Sequence, residues 1–196
     1  VPKQDMNLTQ IKDNLIEQYE KCLLYLNSLI LLDDGSKNIF RNRIQTSILN
    51  IQNSESIVDI FKLKFGSVNF SKVRLMDYFE LVKFKSIKIS ESNDGNYPLY
   101  GASMFDEPVK MIDEYNIDSN GEDYIQLNKD GSAGYCFIRN GKFSMNSHCI
   151  LLKPIQDLNL KININVMTLQ LINMNFGFSN AINQTKLNDI ELYLNL

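Results

Sequence analysis

Apolar residues recur every three or four positions through the first third of the chain, which is the spacing that places side chains on one face of an α-helix. The pattern predicts a first helix over residues 8–32 with an N-cap at Asn7, and a second helix that begins with a cap at Ser36. A third, shorter helix is predicted over residues 56–64 and ends at Gly66. Two interpretations stay open for these helices: a bundle that buries its own apolar faces, or a docking surface for a partner.

Beyond residue 66 the pattern changes to the two-residue alternation that is typical of β-strands. It predicts strands within residues 82–89, with a bulge or break in the middle, and further strands at 124–127 and 148–153. Residues 135–145 contain Asn140-Gly141, a pair that fits a type I′ turn, and therefore predict a β-hairpin.

Residues 160–174 are rich in apolar side chains and predict a helix packed on the sheet, although alternation at its start leaves a strand as an alternative. A further helical turn at 186–191 precedes a terminal strand.

The expected fold class is α+β. A helical segment at residues 1–66 precedes a mixed, mostly antiparallel β-sheet domain with packed helices at 67–196.

Charge and cysteine content narrow the class of protein. The 196 residues include 20 Lys and Arg against 23 Asp and Glu, a net charge of −3 that argues against non-specific coating of nucleic acid but permits a local basic face. The three cysteines lack CxxC spacing, so we expect buried, reduced thiols in a cytoplasmic protein. The apolar runs are too short to cross a membrane.

Several kinds of catalytic site are missing from the sequence. His148 is the single histidine, which excludes a histidine-rich metal site, and there is no GxSxG, P-loop or GxGxxG motif. The chain also has no Pro-Pro pair, which adenine methyltransferases share in the motif that holds the target amine. We therefore expect neither a catalytic centre nor a bound metal.

Two turn-rich segments, 95–103 and 128–134, combine glycines with small hydroxyl side chains, a composition suited to close contact with another surface. Basic residues outnumber acidic ones from Lys72 to Ile89. Lys83 and Lys85 would share one face of a strand and could meet phosphates, although lysine is also common on solvated strand edges.

Polar side chains in the second turn-rich segment and in one further loop could contact phosphates or bases. Lys129 and Ser132 lie in the second turn-rich segment, and Asn146, Ser147 and His148 lie at a strand entry. The alternative for the 129–134 loop is a simple connection between strands, and the alternative for His148 is a purely structural role.

Five segments, in order, resemble the target recognition domain of type I restriction–modification specificity (S) subunits and their type IIG relatives. The resemblance covers roughly residues 70–196. The segments are Val73–Phe79, Gly95–Ser103, Tyr124–Leu127 leading into Asp130–Gly134, Gly141–Cys149 and Ala181–Ile190.

The resemblance implies a non-catalytic module that recognises half of a split site in the major groove of double-stranded DNA. It implies methyltransferase and restriction subunits or domains as partners, and S-adenosylmethionine bound by the adenine methyltransferase rather than by this chain. Residues 1–66 would be spacer or docking helices. A complete S subunit carries two recognition domains, so the single domain here predicts either a half-subunit or the C-terminal part of a fused enzyme.

The candidate DNA-contacting residues are polar, basic or aromatic side chains of the second domain. They are Lys83, Lys85, Lys88, Tyr100, Ser103, Lys129, Ser132, Arg139, Asn146, Ser147, His148 and Lys186. The alternative function is a non-catalytic protein-interaction or scaffolding module that acts through the N-terminal helices.

Overall fold

The computed structural model describes residues 7–29, 31–174 and 176–196, which form two compact units, residues 7–68 and residues 69–196. The first unit is helical and the second contains the strands. The helices are α1 (Leu8–Ser28), α2 (Asp34–Asn53), α3 (Ile57–Phe65), α4 (Leu160–Leu171) and α5 (Gln184–Asp189). The strands are β1 (Ser71–Arg74), β2 (Phe79–Val82), β3 (Asp94–Tyr100), β4 (Lys110–Ile112), β5 (Ile117–Asp118), β6 (Tyr124–Asn128), β7 (Cys136–Arg139), β8 (Lys142–Met145), β9 (Cys149–Pro154) and β10 (Glu191–Leu194).

The three helices of the first unit follow the predicted order, with corrections at their ends. Asn7 caps α1 as predicted, because its side chain accepts hydrogen bonds from the backbone of the first turn. The helix ends at Ser28, earlier than predicted. The cap of α2 is Asp33 rather than Ser36: the Asp33 Oδ1 atom accepts a hydrogen bond from Ser36 N over 2.8 Å. None of the helices in the described part of the chain is long and apolar enough to cross a membrane.

The second unit contains three small sheets and the predicted C-terminal helices. One four-stranded sheet has the order β2–β9–β6–β7, another has the order β4–β3–β8–β5, and β1 pairs with β10. The paired strands are antiparallel apart from β3 and β8, which run parallel. Helix α4 packs against β7 and β10. The predicted α+β class, with mixed and mostly antiparallel pairing, is confirmed.

The hairpin predicted around Asn140-Gly141 is wrong, although both of its strands exist. Strand β7 pairs with β6, whereas β8 pairs with β3 and β5 in the other four-stranded sheet. The Asn-Gly turn therefore passes the chain from one sheet to the next. This crossover places the residues that follow β8 beside those that follow β3.

The strands predicted within residues 82–89 are also wrong, apart from Val82 at the end of β2. Beyond Val82 the chain has no strand before β3 in the described residues. Single contacts hold it instead: Phe84 packs against the core around Phe143, and Ile87 N donates a hydrogen bond to Met145 O over 3.0 Å. Lys83 and Lys85 are exposed, but no strand sets them on a common face.

The prediction of three buried thiols holds for Cys136 and Cys149 and is wrong for Cys22, which is exposed on α1. Burial raises the pKa of both the Cys136 and the Cys149 thiol to about 12. Only the thiolate is a strong nucleophile, so these two side chains are protected by both burial and protonation.

This difference predicts a thiol count. Brief exposure of the native chain to a maleimide at neutral pH should label Cys22 alone, and all three cysteines should react after unfolding in urea. Mass spectrometry of the intact and digested chain measures both numbers. Rapid labelling of Cys149 in the native chain would contradict the packing described around β9.

Candidate functional site

Four loops of the second unit meet at one edge of its sheets, three of them because of strand register. Asn128 at the end of β6 lies opposite Cys149 at the start of β9, so the loop leaving one strand meets the loop entering the other. Tyr100 and Met145 are register partners in the parallel pair β3–β8, so the loops that follow these strands also lie side by side. The fourth loop, between α4 and α5, is joined to them by the hydrogen bond from Ile182 N to Lys129 O. We call residues 101–106, 128–134, 146–149 and 176–183 the loop cluster.

Backbone hydrogen bonds tie the loop cluster together. Lys129 N donates to His148 O over 3.0 Å, and Ile182 N donates to Lys129 O over 2.8 Å. Asn146 N donates to Tyr100 O over 3.0 Å. Since each bond joins segments distant in sequence, the cluster presents side chains from four parts of the chain on a shared framework.

His148 and Asp130 form a pair within the loop cluster. Their Nδ1 and Oδ1 atoms are 2.7 Å apart, and the His148 side chain is half exposed whereas that of Asp130 is mostly covered. A carboxylate only accepts hydrogen bonds, so Nδ1 carries the proton in this contact and Nε2 is left for another partner. In the neutral imidazole, Nε2 is an acceptor suited to an amino group.

Other predicted site residues surround this pair. Lys129, Ser132 and Asn146 are half-buried and Ser147 is exposed. Asn146 also accepts the backbone N–H of His148 through its Oδ1 atom over 3.0 Å, which fixes the turn between β8 and β9.

Two further candidates have structural contacts inside the loop cluster. Lys186 is half-buried, and its Nζ donates to Asn180 Oδ1 over 2.6 Å and to Ala181 O over 2.7 Å. The Ser103 hydroxyl accepts a hydrogen bond from Phe105 N over 3.0 Å. Lys186 therefore connects α5 to the 176–183 loop, and Ser103 stabilises the 101–106 segment.

Arg139 and Tyr100 form a packed pair next to the loop cluster. The Arg139 side chain is only 4% exposed, and its guanidinium carbon lies 3.7 Å from the centroid of the Tyr100 ring. The Arg139 Nε donates to Gln126 Oε1 over 2.8 Å. The arrangement makes Arg139 part of the interior rather than a cation available to a phosphate.

The three remaining candidates, Lys83, Lys85 and Lys88, lie on the irregular segment after β2. All three are exposed. The hydrogen bond to the Glu91 carboxylate raises the pKa of the Lys88 ammonium. The backbone hydrogen bonds that join the loop cluster involve other residues, namely Tyr100, Lys129, Asn146, His148 and Ile182.

Sequence reasoning missed the buried polar residues beneath the loop cluster. Gln126 and Asn128 are completely buried in β6, where each donates to a backbone carbonyl of the 101–106 segment. The sequence places Asp130 only within a turn-rich segment. The signal available in the sequence was the pair of amide side chains inside an otherwise apolar strand, since buried amides need partners.

Within residues 7–29, 31–174 and 176–196, no three His, Cys, Asp or Glu side chains are grouped so that they could hold a metal ion. The loop cluster combines the exposed Ser147 and His148 side chains with the half-buried Lys129, Ser132 and Asn146 side chains. Such a surface is suited to hydrogen bonding with an extended polar partner.

Comparison with known proteins gives one family and a consistent fold. Residues 67–194 match the family model described as the type I restriction modification DNA specificity domain. No curated protein sequence matches the chain.

Three solved structures share the fold. An S subunit of a type I restriction–modification system from M. genitalium is 18% identical, with a TM-score of 0.51 over 97% of this chain and 50% of that one. The HsdS subunit from Thermoanaerobacter tengcongensis is 14% identical, with a TM-score of 0.53 over 93% of this chain and 46% of that one. A chain from a structure concerned with complex assembly and conformational transition of the type I R-M system is 15% identical, with a TM-score of 0.53 over 93% of this chain and 47% of that one. The present chain thus spans about half the length of these structures.

Proposed function

The chain belongs to the family of type I restriction modification DNA specificity domains, and we propose that its loop cluster recognises half of a split DNA site from the major groove. The observation that carries this proposal is the joining of four loops at one sheet edge, with Lys129, Ser132, Asn146 and His148 among their side chains. Base edges in the major groove present donors and acceptors that such side chains can distinguish.

The candidates divide into proposed roles according to their surroundings. Ser132, Asn146, Ser147 and His148 are proposed to contact base edges. The exposed cations Lys83, Lys85, Lys88 and the half-buried Lys129 are proposed to contact phosphates, which position a protein on the duplex without specifying sequence. Tyr100, Ser103, Arg139 and Lys186 are proposed to support the loops, because their polar atoms or rings are already engaged within the protein.

We further propose that the chain acts without a catalytic centre of its own and presents the duplex to an adenine methyltransferase that binds S-adenosylmethionine. The helices of residues 1–66 are proposed to dock this partner. Exposed apolar side chains on the helices support the docking role, among them Leu24 at 71%, Ile39 at 56% and Leu49 at 54% exposure. Transfer of a labelled methyl group by the isolated chain would contradict this division of labour.

The main test is selection of bound duplexes from a randomised DNA pool at low salt. The full chain should enrich a short motif. Its affinity alone should be weak, because few phosphate contacts are available and salt weakens each one. Retention without an enriched motif would contradict recognition by the chain alone, and absence of any retention would favour the scaffolding alternative that acts through the helices.

Two substitutions should separate base contacts from phosphate contacts on the enriched motif. His148→Gln should change the preference at a base pair by about 1–3 kcal/mol, whereas Lys129→Ala should weaken binding to every sequence and reduce the salt slope by about 1. Titrations at several salt concentrations measure both effects.

Lys153→Ala is the matched control, because Lys153 lies near the opposite end of β9 and pairs with Glu122 over 2.6 Å. It should leave preference and salt slope unchanged. An unaltered base preference in His148→Gln would remove His148 from the contact surface.

A further inference from the structure

Buried amide side chains of β6 hold the 101–106 segment of the loop cluster through hydrogen bonds. Gln126 Nε2 donates to Gly101 O over 3.0 Å, and Asn128 Nδ2 donates to Ser103 O over 2.6 Å. Both amides are completely buried, and Gln126 Nε2 also donates to Asn128 Oδ1 over 2.8 Å. These bonds anchor the segment to buried side chains of β6 at Gly101 and Ser103.

Arg139 completes the support at the far end of the same segment. Its Nη1 atom donates to Asp106 Oδ1 over 2.5 Å, its guanidinium packs against the Tyr100 ring, and its Nε donates to Gln126 Oε1. Every fully buried side-chain nitrogen and oxygen in the described residues has a hydrogen-bond partner. The effect of this support is to hold a loop that otherwise has few internal bonds.

The supported segment exposes large apolar side chains between its fixed points. Met104 is 52% exposed and Phe105 is 67% exposed. Phe178, on the turn between α4 and α5, is 79% exposed, and the tip of its ring lies near Gly131, as does Ala102. Rigid loops that keep apolar side chains in water are typical of binding surfaces, because the cost of ordering is met before binding.

The chemistry of the duplex identifies what these side chains would contact. The major groove presents hydrogen-bonding groups at every base pair and one prominent apolar group, the 5-methyl of thymine. We infer that Met104, Phe105 and Phe178 form an apolar contact surface, beside the polar side chains of the loop cluster, that recognises thymine methyl groups. This inference rests on the proposed function, since it requires the loop cluster to face the major groove.

The decisive experiment replaces each thymine of the enriched motif, one at a time, with deoxyuridine, which removes the methyl group and keeps the base pairing. Binding of the full chain to at least one substituted duplex should fall about fourfold, the effect of losing one buried methyl group. The Phe105→Ser and Phe178→Ser variants should bind the thymine duplex less tightly. At least one of the two should no longer distinguish thymine from uracil at that position.

Ile155→Ser is the control for adding a hydroxyl at an exposed apolar site. Ile155 is 55% exposed and follows Pro154 at the opposite end of β9 from the loop cluster, so the control should bind both duplexes as the unsubstituted chain does. Both phenylalanines are exposed, so the substitutions should leave the fold intact, which circular dichroism checks.

The outcomes separate this inference from the proposed function. Enrichment of no motif would contradict the proposed function and the inference with it. An enriched motif whose binding is indifferent to every uracil substitution would overturn the inference alone. So would equal losses in the serine variants on thymine and uracil duplexes, which would indicate stacking on bases instead of contact with a methyl group.

Discussion

Alanine at position 134 is expected to destabilise the 69–196 unit by about 2–5 kcal/mol, the sum of backbone strain and overpacking. Gly134 has a φ of +91°, in the region that side chains other than glycine rarely adopt. A Cβ atom there would lie 2.7 Å from both the carbonyl carbon of Leu171 and the backbone nitrogen of Ile172. Backbone atoms at the end of α4 cannot rotate away, so either the loop or the helix must shift.

Gly141→Ala separates strain from overpacking. Gly141 also has a positive φ, +75°, but a Cβ atom built on it meets nothing within 4 Å. This control should therefore lose only about 1 kcal/mol, the cost of the backbone conformation. Hydrogen exchange of the β6 and β9 amides measures the free energy of opening in this unit. Equal losses in the two variants would show that the close approach to α4 costs nothing.

The shift should also reach the loop cluster. Gly134 N donates to Asn128 O over 2.9 Å, closing the loop that carries Lys129 and Ser132. Moving Gly134 should therefore weaken sequence preference as well as stability, whereas the Gly141 control should retain its preference.

Features that depend on neighbours in sequence could be predicted from the sequence. The three N-terminal helices follow from apolar residues spaced three and four apart, and the Asn7 cap from its bond to the next turn. The apolar content of residues 160–174 favours a helix but leaves a strand as an alternative, and the structure has α4 at Leu160–Leu171. Helix caps and the spacing of apolar residues depend on residues close in sequence, so they do not require knowledge of tertiary contacts.

Features that depend on the choice of partner could not be predicted. Asn140-Gly141 has the composition of a hairpin turn, yet β7 pairs with β6 and β8 pairs with β3 in a separate sheet. The lysines at 83 and 85 alternate like strand residues, but β2 ends where its pairing with Leu151 ends. Alternation indicates that a segment is extended and does not identify the strand with which it pairs.

The candidate site divides along the same line. Loop residues such as His148 and Ser132 are predictable from the sequence because turn composition is local. The role of Arg139 depends on Tyr100, Gln126 and Asp106, three residues from separate segments, so its charge alone suggested a DNA contact. Only the folded arrangement shows that this cation faces the interior.

Truncation of that cation, Arg139→Ala, is expected to cost about 2–4 kcal/mol of stability. It leaves the buried Gln126 Oε1 without its 2.8 Å donor and removes the guanidinium from the Tyr100 ring. The loss should fall below that of a fully buried ion pair, because Asp106 is 63% exposed and water can hydrate its carboxylate. Hydrogen exchange of the β6 amides measures the effect.

A milder variant, Arg139→Lys, distinguishes support of the loop from contact with DNA. Lysine keeps the charge but lacks the planar fork that bonds Gln126 and Asp106 together, so the 101–106 amides should exchange faster. If Arg139 supports the loop, sequence preference should weaken while the salt slope of binding stays the same.

Because a phosphate contact contributes about 1 to that slope, Arg139→Met would lower the slope only if the guanidinium touched the backbone of the DNA. An unchanged slope in Arg139→Met, beside a slope reduced in Lys129→Ala, would place Arg139 in the framework of the loop cluster and Lys129 on its surface.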